Sequence, residues 1–325
     1  MLTDKADLKA VTPIVSILIP CFNSRKWLAE TLGSCQSQTY SNIEVIVVDD
    51  GSSDGSAAIA ERFSNADARF KTYVQPNKGA PAARNLAFSK SEGQFIQFLD
   101  ADDTLPQNKV GCQMAILKGR QSSLISCPWT HYHDGASVSE LLIRRMDSKS
   151  DPIEWLQTKF LSGSMNLISC WLTPRRLIEK AGPWNEALKC NQDGEFFARV
   201  LLNADKVLFT HETHALYRRE NTSSVSRVDS TEKARSLLLS YELYEQHMLA
   251  VDSSEITRRA LASNYIAFIY QNHPRHPELI SAAWERVKAL EVGQLPLIGG
   301  RNFRLIQKFL GVHAALWLRR GLRFR

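Results

Sequence analysis

Two short apolar runs that stop on carboxylates constrain this chain more than any other feature. Ile43-Glu44-Val45-Ile46-Val47-Val48 runs into Asp49-Asp50-Gly51-Ser52-Ser53-Asp54, and Phe95-Ile96-Gln97-Phe98-Leu99 runs into Asp100-Ala101-Asp102-Asp103. Both runs are rich in β-branched or aromatic residues and bounded by polar turn residues, which predicts mostly buried strands with acids at their carboxyl ends. In an open α/β sheet that edge is where ligands bind. Carboxylates gathered there suit a hard divalent cation that in turn grips phosphate.

The surrounding pattern alternates strand and helix. Val15-Ser16-Ile17-Leu18-Ile19 reads as a strand ended by Pro20, which cannot donate to a ladder. Ser24 then reads as the cap of a helix whose Leu28, Leu32 and Cys35 share one face. The strand Ile43 to Val48 comes next, then a helix from Asp54 with Ile59 and Phe63 inward, then a strand from Phe70 to Val74. A third unit runs from Asn77-Lys78-Gly79 through a helix to Leu99. The repetition predicts an α/β fold with a Rossmann-like, mostly parallel central sheet. Neither G-x-G-x-x-G after the first strand nor G-x-x-x-x-G-K-[ST] is present, so the dinucleotide and P-loop fingerprints are missing.

Beyond Asp103 the reading is coarser. Residues 103–151 suggest loops and edge strands. From Pro152 the apolar pattern resumes at Trp155-Leu156 and Leu167 to Leu172. Leu177-Ile178, a turn at Gly182-Pro183-Trp184 and a helix over Gly194 to Leu202 come after. Residues 231–290 are rich in Ala, Leu, Glu and Arg and predict helices. The expected division is a catalytic domain over 1–226 and a helical carboxyl-terminal region with a basic amphipathic tail over 227–325.

Charge narrows the partners. The formal net charge is +6, but Gly293 to Arg325 holds seven Arg or Lys and no acid. Without that tail the chain is close to neutral, which argues against a nucleic-acid-binding surface. Cys21, Cys35, Cys112, Cys127, Cys170 and Cys190 form no C-x-x-C pair, as expected of reduced structural thiols. The polar Met1 to Lys9 lacks the apolar core of a secretory signal, and Phe309 to Leu318 is only about half a membrane span. The expectation is a cytoplasmic protein, peripheral at the inner face of the cell membrane.

The order of motifs resembles the family 2 glycosyltransferases of the GT-A fold. The resemblance is carried by Val15-Ser16-Ile17-Leu18-Ile19-Pro20-Cys21-Phe22-Asn23, Ser37-Gln38-Thr39-Tyr40 and Glu44 through Asp54. It continues in Asn77-Lys78-Gly79-Ala80-Pro81-Ala82-Ala83-Arg84-Asn85 and Phe98-Leu99-Asp100-Ala101-Asp102-Asp103, and covers roughly residues 13–226. It implies that the backbone at Pro20, Phe22 and Asn23 and the carboxylate of Asp50 hold the nucleotide base, an acceptor-only group being suited to an imide or amide N–H. Asp49 would only cap the turn. Arg84 resembles the basic residue facing the diphosphate, a role that suits a planar guanidinium. Asp100-Ala101-Asp102 matches the D-x-D element that binds Mn²⁺ or Mg²⁺ through the sugar nucleotide's phosphates. Asp102 is the principal metal ligand, Asp100 the second or a ribose contact, and Asp103 a cap for the next turn.

Cys190-Asn191-Gln192-Asp193-Gly194-Glu195 resembles the family's acidic motif, with Gln192 where the first acid usually stands. Asp193 is then the candidate base, without the neighbour that could have raised its pKa. Three further features carry less weight. His131-Tyr132-His133-Asp134 looks like a metal cluster but has no further matched ligands. His211 and His214 precede Tyr217-Arg218-Arg219, which resembles a closing loop where a His completes the metal shell in some members. Trp171 and Trp184 are candidates for stacking on a sugar ring. The resemblance thus implies an inverting, metal-dependent, hexosyltransferase-type enzyme that uses a nucleotide diphosphate sugar, a UDP-sugar first, and a glycan or lipid-linked acceptor in surface polysaccharide or glycolipid synthesis. The rival readings are a non-catalytic nucleotide-sugar-binding or membrane-scaffold protein and a sugar-1-phosphate nucleotidyltransferase, which would show a Gly-rich basic loop where Cys21-Phe22-Asn23 stands. The tail mixes Phe303, Leu305, Ile306, Phe309, Leu310, Val312, Leu316, Trp317 and Leu318 with Arg301, Arg304, Lys308, Arg319 and Arg320. Such a segment suits the interface of an anionic membrane.

Overall fold

The computed structural model describes residues 12–132, 150–164, 166–218 and 230–322. Its core is a sheet of β1 (Val15–Cys21), β2 (Ile43–Asp49), β3 (Phe70–Val74) and β4 (Phe95–Phe98), with β7 (Thr173–Pro174) at one edge. The order is β3-β2-β1-β4-β7, and only β7 runs antiparallel. Every residue of β1 and β2 is buried, which explains why these strands read as continuous apolar runs. Between them lie α1 (Leu28–Gln36), α2 (Ser56–Ala66) and α3 (Ala80–Lys90). The predicted inward residues Leu28, Leu32, Cys35 and Ile59 are buried, and Phe63 packs on the same core.

Two local expectations are corrected. Pro20 does not end β1; it sits inside it, opposite Val48. Amide directions alternate along β1, the Val15 N–H donating to Asn42 and the Cys21 carbonyl accepting from Asp50 on the β2 side. The missing N–H of Pro20 therefore points toward β4, whose pairing has already stopped at Leu18 and Phe98. Ser24 does not cap α1, which starts at Leu28. Its carbonyl accepts from Trp27 and Leu28 in a tight turn, and its own N–H donates to the Ser56 hydroxyl.

The middle of the chain supplies α4 (Lys109–Leu117), β5 (Ser123–Ser126), β6 (Trp129–Tyr132), α5 (Pro152–Ser162), α6 (Arg175–Ala181), α7 (Gln192–Leu202), β8 (Lys206–Phe209) and β9 (Ala215–Arg218). β5 pairs with β8 and β6 with β9, both parallel. His133, Asp134 and Arg219 lie outside the described residues, as does the domain boundary expected at 226.

The helical region comprises α8 (Thr231–Leu249), α9 (Glu255–Asn272), α10 (Pro277–Ala289) and α11 (Arg301–Leu322). Ser230 and Ser254 cap α8 and α9 by accepting from Lys233 and Thr257, each cap being worth about 1 kcal/mol. These helices share one hydrophobic core with α5, α7 and the inner face of the sheet: Phe196, Trp171, Tyr244, Tyr265 and Leu316 belong to the same buried cluster. Gly311, at φ 81°, breaks α11 into two segments. Among the described residues no helix is long and apolar enough to cross a membrane.

Candidate active site

The carboxyl ends of β1 and β4 open onto a cleft of about 480 Å³, within the usual range of small-molecule sites. Pro20 and Phe22 line it from β1, and Phe22 is half exposed. Asp100 and Asp102 line it from the turn after β4, Arg84 from α3, and Asp193 from the start of α7.

Arg84 lies where these parts meet. It is buried, donates to Asp100 Oδ1 at 2.8 Å and to Gln192 Oε1 at 3.3 Å, and packs 4.6 Å from the centre of the Trp184 ring. Asn85 fixes that Trp by accepting from its backbone N–H at 2.8 Å and donating to its backbone carbonyl at 3.0 Å. Trp184 in turn stacks on Phe196 at 4.0 Å. A planar cation is thus held at the cleft by aromatic packing on one side and a carboxylate on the other.

The turn after β4 is held from outside the cleft by a residue to which no sequence motif assigns this role. Arg218 is fully buried, donates to the Asp102 carbonyl at 2.8 Å and pairs with Glu30 at 2.5 Å. Its backbone N–H donates to Asp103 Oδ1 at 3.0 Å. Asp103 therefore ties β9 to the turn and is not the cap expected for the next one. Burial pushes its carboxyl well above the usual range, with Asp102 and Asp100 adding to the push and Arg218 opposing it. A buried cation with this many oxygen partners cannot be told from a surface arginine by sequence spacing alone.

Asp193 is partly buried one residue into α7. Burial raises its pKa above the ordinary aspartate value; Arg84 pulls it down and Asp100 pushes it up. The helix start is locked by Asn191, whose amide donates to Ser240 Oγ at 2.8 Å and Tyr244 Oη at 2.9 Å on α8. Gly194 is required there, because a Cβ would lie 2.2 Å from the Tyr244 hydroxyl.

Other sequence candidates fall elsewhere. Asp50 does not line the cleft: it is buried, and its carboxylate accepts from Gln75 Nε2 at 2.7 Å and from the N–H groups of Lys78 and Gly79 at 2.8 Å each. It shapes the loop that launches α3. Its neighbour Asp49 accepts from Ser52 N–H at 2.8 Å, as a turn cap should, yet its buried Oδ2 has no partner. Asn23 is exposed, exchanging hydrogen bonds with Ser52 and Ser53. Trp171 is corrected from a sugar platform to core: it is 1% exposed and stacked on Phe197. Trp184 is likewise buried, and its ring serves Arg84 and Phe196 instead of a ligand. His211 packs on Phe209, and neither it nor His214 lines the cleft, whereas Tyr217 does.

Asp100 and Asp102 are the residues that could hold a divalent cation. Both are partly exposed on the open side of the cleft, and two carboxylates with room for phosphate and water match what Mg²⁺ or Mn²⁺ takes. Among the described residues no group of three or more His, Cys, Asp or Glu forms a closed protein cage.

Comparison with known proteins bears on the family and the fold. A glycosyltransferase of Streptococcus pneumoniae, GlyG, is 28% identical over 230 residues, covering 66% of this chain and 73% of that protein. An uncharacterized glycosyltransferase of Haemophilus influenzae is 28% identical over 234 residues, covering 71% and 88%. S. aureus TarS 1–349, solved in complex with UDP-GlcNAc, superposes with a TM-score of 0.68 at 21% identity over 95% of this chain and 91% of that one. The mannosyltransferase PcManGT of Pyrobaculum calidifontis, solved with GDP-Man and Mn²⁺, gives 0.51 at 14% identity over 95% and 87%. At such identities the two structures establish the fold, which is that of the GT-A transferases. The family model for glycosyl transferase family 2 matches residues 16–224, from the first strand to beyond β9, and the chain belongs to that family.

Proposed function

We propose that this glycosyltransferase moves a sugar from a nucleoside diphosphate sugar, a UDP-sugar in the first instance, to an acceptor hydroxyl with inversion, in the synthesis of a surface polysaccharide or glycolipid. The observation that carries the reading is the meeting of Asp100, Asp102, Arg84 and Asp193 in one cleft. TarS and PcManGT, which share the fold, are solved with UDP-GlcNAc and with GDP-Man and Mn²⁺.

The residues divide the work by charge. Arg84 supplies a fixed positive charge toward the diphosphate, and Asp100 and Asp102 would hold the cation. A divalent cation bound there neutralises the charge that builds on the leaving group. Asp193 takes the proton of the acceptor hydroxyl as its oxygen bonds to the anomeric carbon. The bond from that carbon to the diphosphate oxygen breaks, and its electron pair leaves with the diphosphate. A single carboxylate suffices for inversion, and a raised pKa makes it a better base.

Gln192 bears on the same chemistry. An acid at that position would add a second ion pair to the one Arg84 makes with Asp100, whereas the neutral amide leaves the guanidinium with a single carboxylate partner. Incubation with UDP-, GDP- and dTDP-sugars plus Mn²⁺, following nucleoside diphosphate release, tests the proposal. Release with one donor and transfer to an added hydroxyl are expected. Binding without release would favour a non-catalytic protein, and pyrophosphate formation from a nucleoside triphosphate and a sugar 1-phosphate would favour the nucleotidyltransferase reading.

The tail supports a membrane-surface role for one face of α11. Phe303, Val312, Ala315 and Leu316 pack inward on the core, while Leu305, Phe309 and Leu310 are 49%, 76% and 64% exposed. Arg301, Arg304 and Lys308 are exposed beside them on the same segment. Basic groups near an anionic bilayer contribute roughly 1 kcal/mol each. Because the opposite face completes the core, the test uses point changes in the full chain. Leu305→Glu with Phe309→Glu should abolish co-sedimentation with anionic vesicles at low salt; equal pelleting of variant and wild type would remove the surface from the account.

A further inference from the structure

We propose that α8 and α9, which lie beyond the family match at 16–224, form the acceptor-binding wall of the cleft, with Tyr241 as a platform for a sugar ring and Gln271 as its polar contact. The proposal rests on the transferase reading above and deepens it. Leu237 and Tyr241 from α8 and Gln271 from α9 line the same cleft as Asp193 and Asp100. All three come from the part of the chain in which no sequence motif assigns a role.

The chemistry of this wall differs from the rest of the cleft. It carries no formal charge, which suits a neutral saccharide rather than a second phosphate. Tyr241 is braced from behind: Tyr244 stacks against it at 5.8 Å and 23°, and Tyr265 meets it edge-on at 6.3 Å. Both bracing rings are buried, and Tyr265 is fixed by a 2.7 Å hydrogen bond to Glu245. A ring held this way binds a flat apolar face with little ordering cost. Its hydroxyl makes no hydrogen bond among the described residues, and neither does the exposed amide of Gln271. Both are therefore open to sugar hydroxyls.

The wall is also registered to the base. Asn191 bonds to Ser240 and Tyr244 on the same helix as Tyr241, and Asn191 precedes Asp193 by two residues. An acceptor ring seated on Tyr241 is thereby held by the element that positions the carboxylate needed to deprotonate it.

The test uses p-nitrophenyl glycosides of several sugars as acceptor probes, with saturation-transfer NMR in the presence of UDP and donor turnover assayed in parallel. In the wild type at least one glycoside should receive saturation and speed nucleoside diphosphate release. Tyr241→Ala should raise that glycoside's KM by about tenfold, the worth of one aromatic contact, while the donor's KM moves less than twofold; Tyr241→Phe should keep most of the affinity. Gln271→Ala, at an exposed position where folding is not at stake, should raise the acceptor KM by a smaller factor. Acceptor and donor KM rising together, or an unchanged acceptor KM in both alanine variants, would overturn the wall. A wild type that turns over donor but engages none of the glycosides would overturn the saccharide assignment. Absence of any donor turnover would instead defeat the transferase reading beneath it.

Discussion

The two sides of the cleft are built from different materials. On the strand side Asp100, Asp102 and the buried Asp103 crowd three carboxyl groups into one turn, held by Arg84 in front and Arg218 behind. On the helix side Asn191, Ser240, Tyr244 and Tyr241 form a neutral lattice of hydrogen bonds and stacked rings. Concentrated charge suits a diphosphate and its counter-cation, whereas neutral, rigid aromatic surface suits a sugar. Asp193 stands at the seam: it begins α7, which packs on α8, but it feels Arg84 and Asp100 across the cleft. The difference is what the proposed base role of Asp193 rests on. Arg84 is already engaged with Asp100, so Asp193 keeps a pKa raised by burial instead of being drawn into an ion pair.

If the seam residue does the chemistry and the strand side does the holding, substitutions should separate rate from binding. Asp193→Asn is expected to lower transfer by roughly two to four orders of magnitude, the usual result of losing a general base, with donor affinity by calorimetry nearly intact. A matching loss of donor affinity would place Asp193 on the holding side and break the division. Arg84→Gln should act the other way. It removes a charge-assisted contact and should weaken donor binding by about ten- to a hundredfold, with a smaller effect on the rate at saturation.

Asp50→Asn sharpens the comparison further, because Asp50 belongs to neither side. It holds the Lys78 and Gly79 amides, so its loss should cost about 1–3 kcal/mol of stability and speed hydrogen exchange at those two amides. Unchanged exchange with lost nucleotide affinity would return Asp50 to direct recognition of the base.

How far the sequence could be read tracks the same division. β1 to β4 and the strand-end acids lie in contiguous blocks, where buried runs and turn residues announce themselves, and the sheet they predict is the sheet present. Asp49 and Asp50 show where that reading stops. Two identical neighbours alternate in direction along a strand, and only the fold decides which one meets the Lys78–Gly79 loop. Trp171 fails for a related reason: an aromatic beside a polar motif suits a platform or a core equally until its neighbours Phe197 and Trp155 are placed. The helix side was not legible because Tyr241 and Gln271 come from helices far along the chain. α9 in particular is buried on nearly every face from Ala260 to Ile269, so it presents no amphipathic stripe to mark the residue that reaches the cleft.

The central claim, that Asp193 is the group deprotonating the acceptor, is tested most directly by the pH dependence of kcat/KM in the wild type and in Asp193→Asn. The base must be ionised to act, so activity should fall as pH drops through its pKa. Because burial, the largest influence on it, raises that pKa, the acid limb should lie above the range of a free aspartate, about 3.9. The account predicts that this limb disappears from the residual activity of Asp193→Asn; the same limb persisting unchanged in the variant would contradict it.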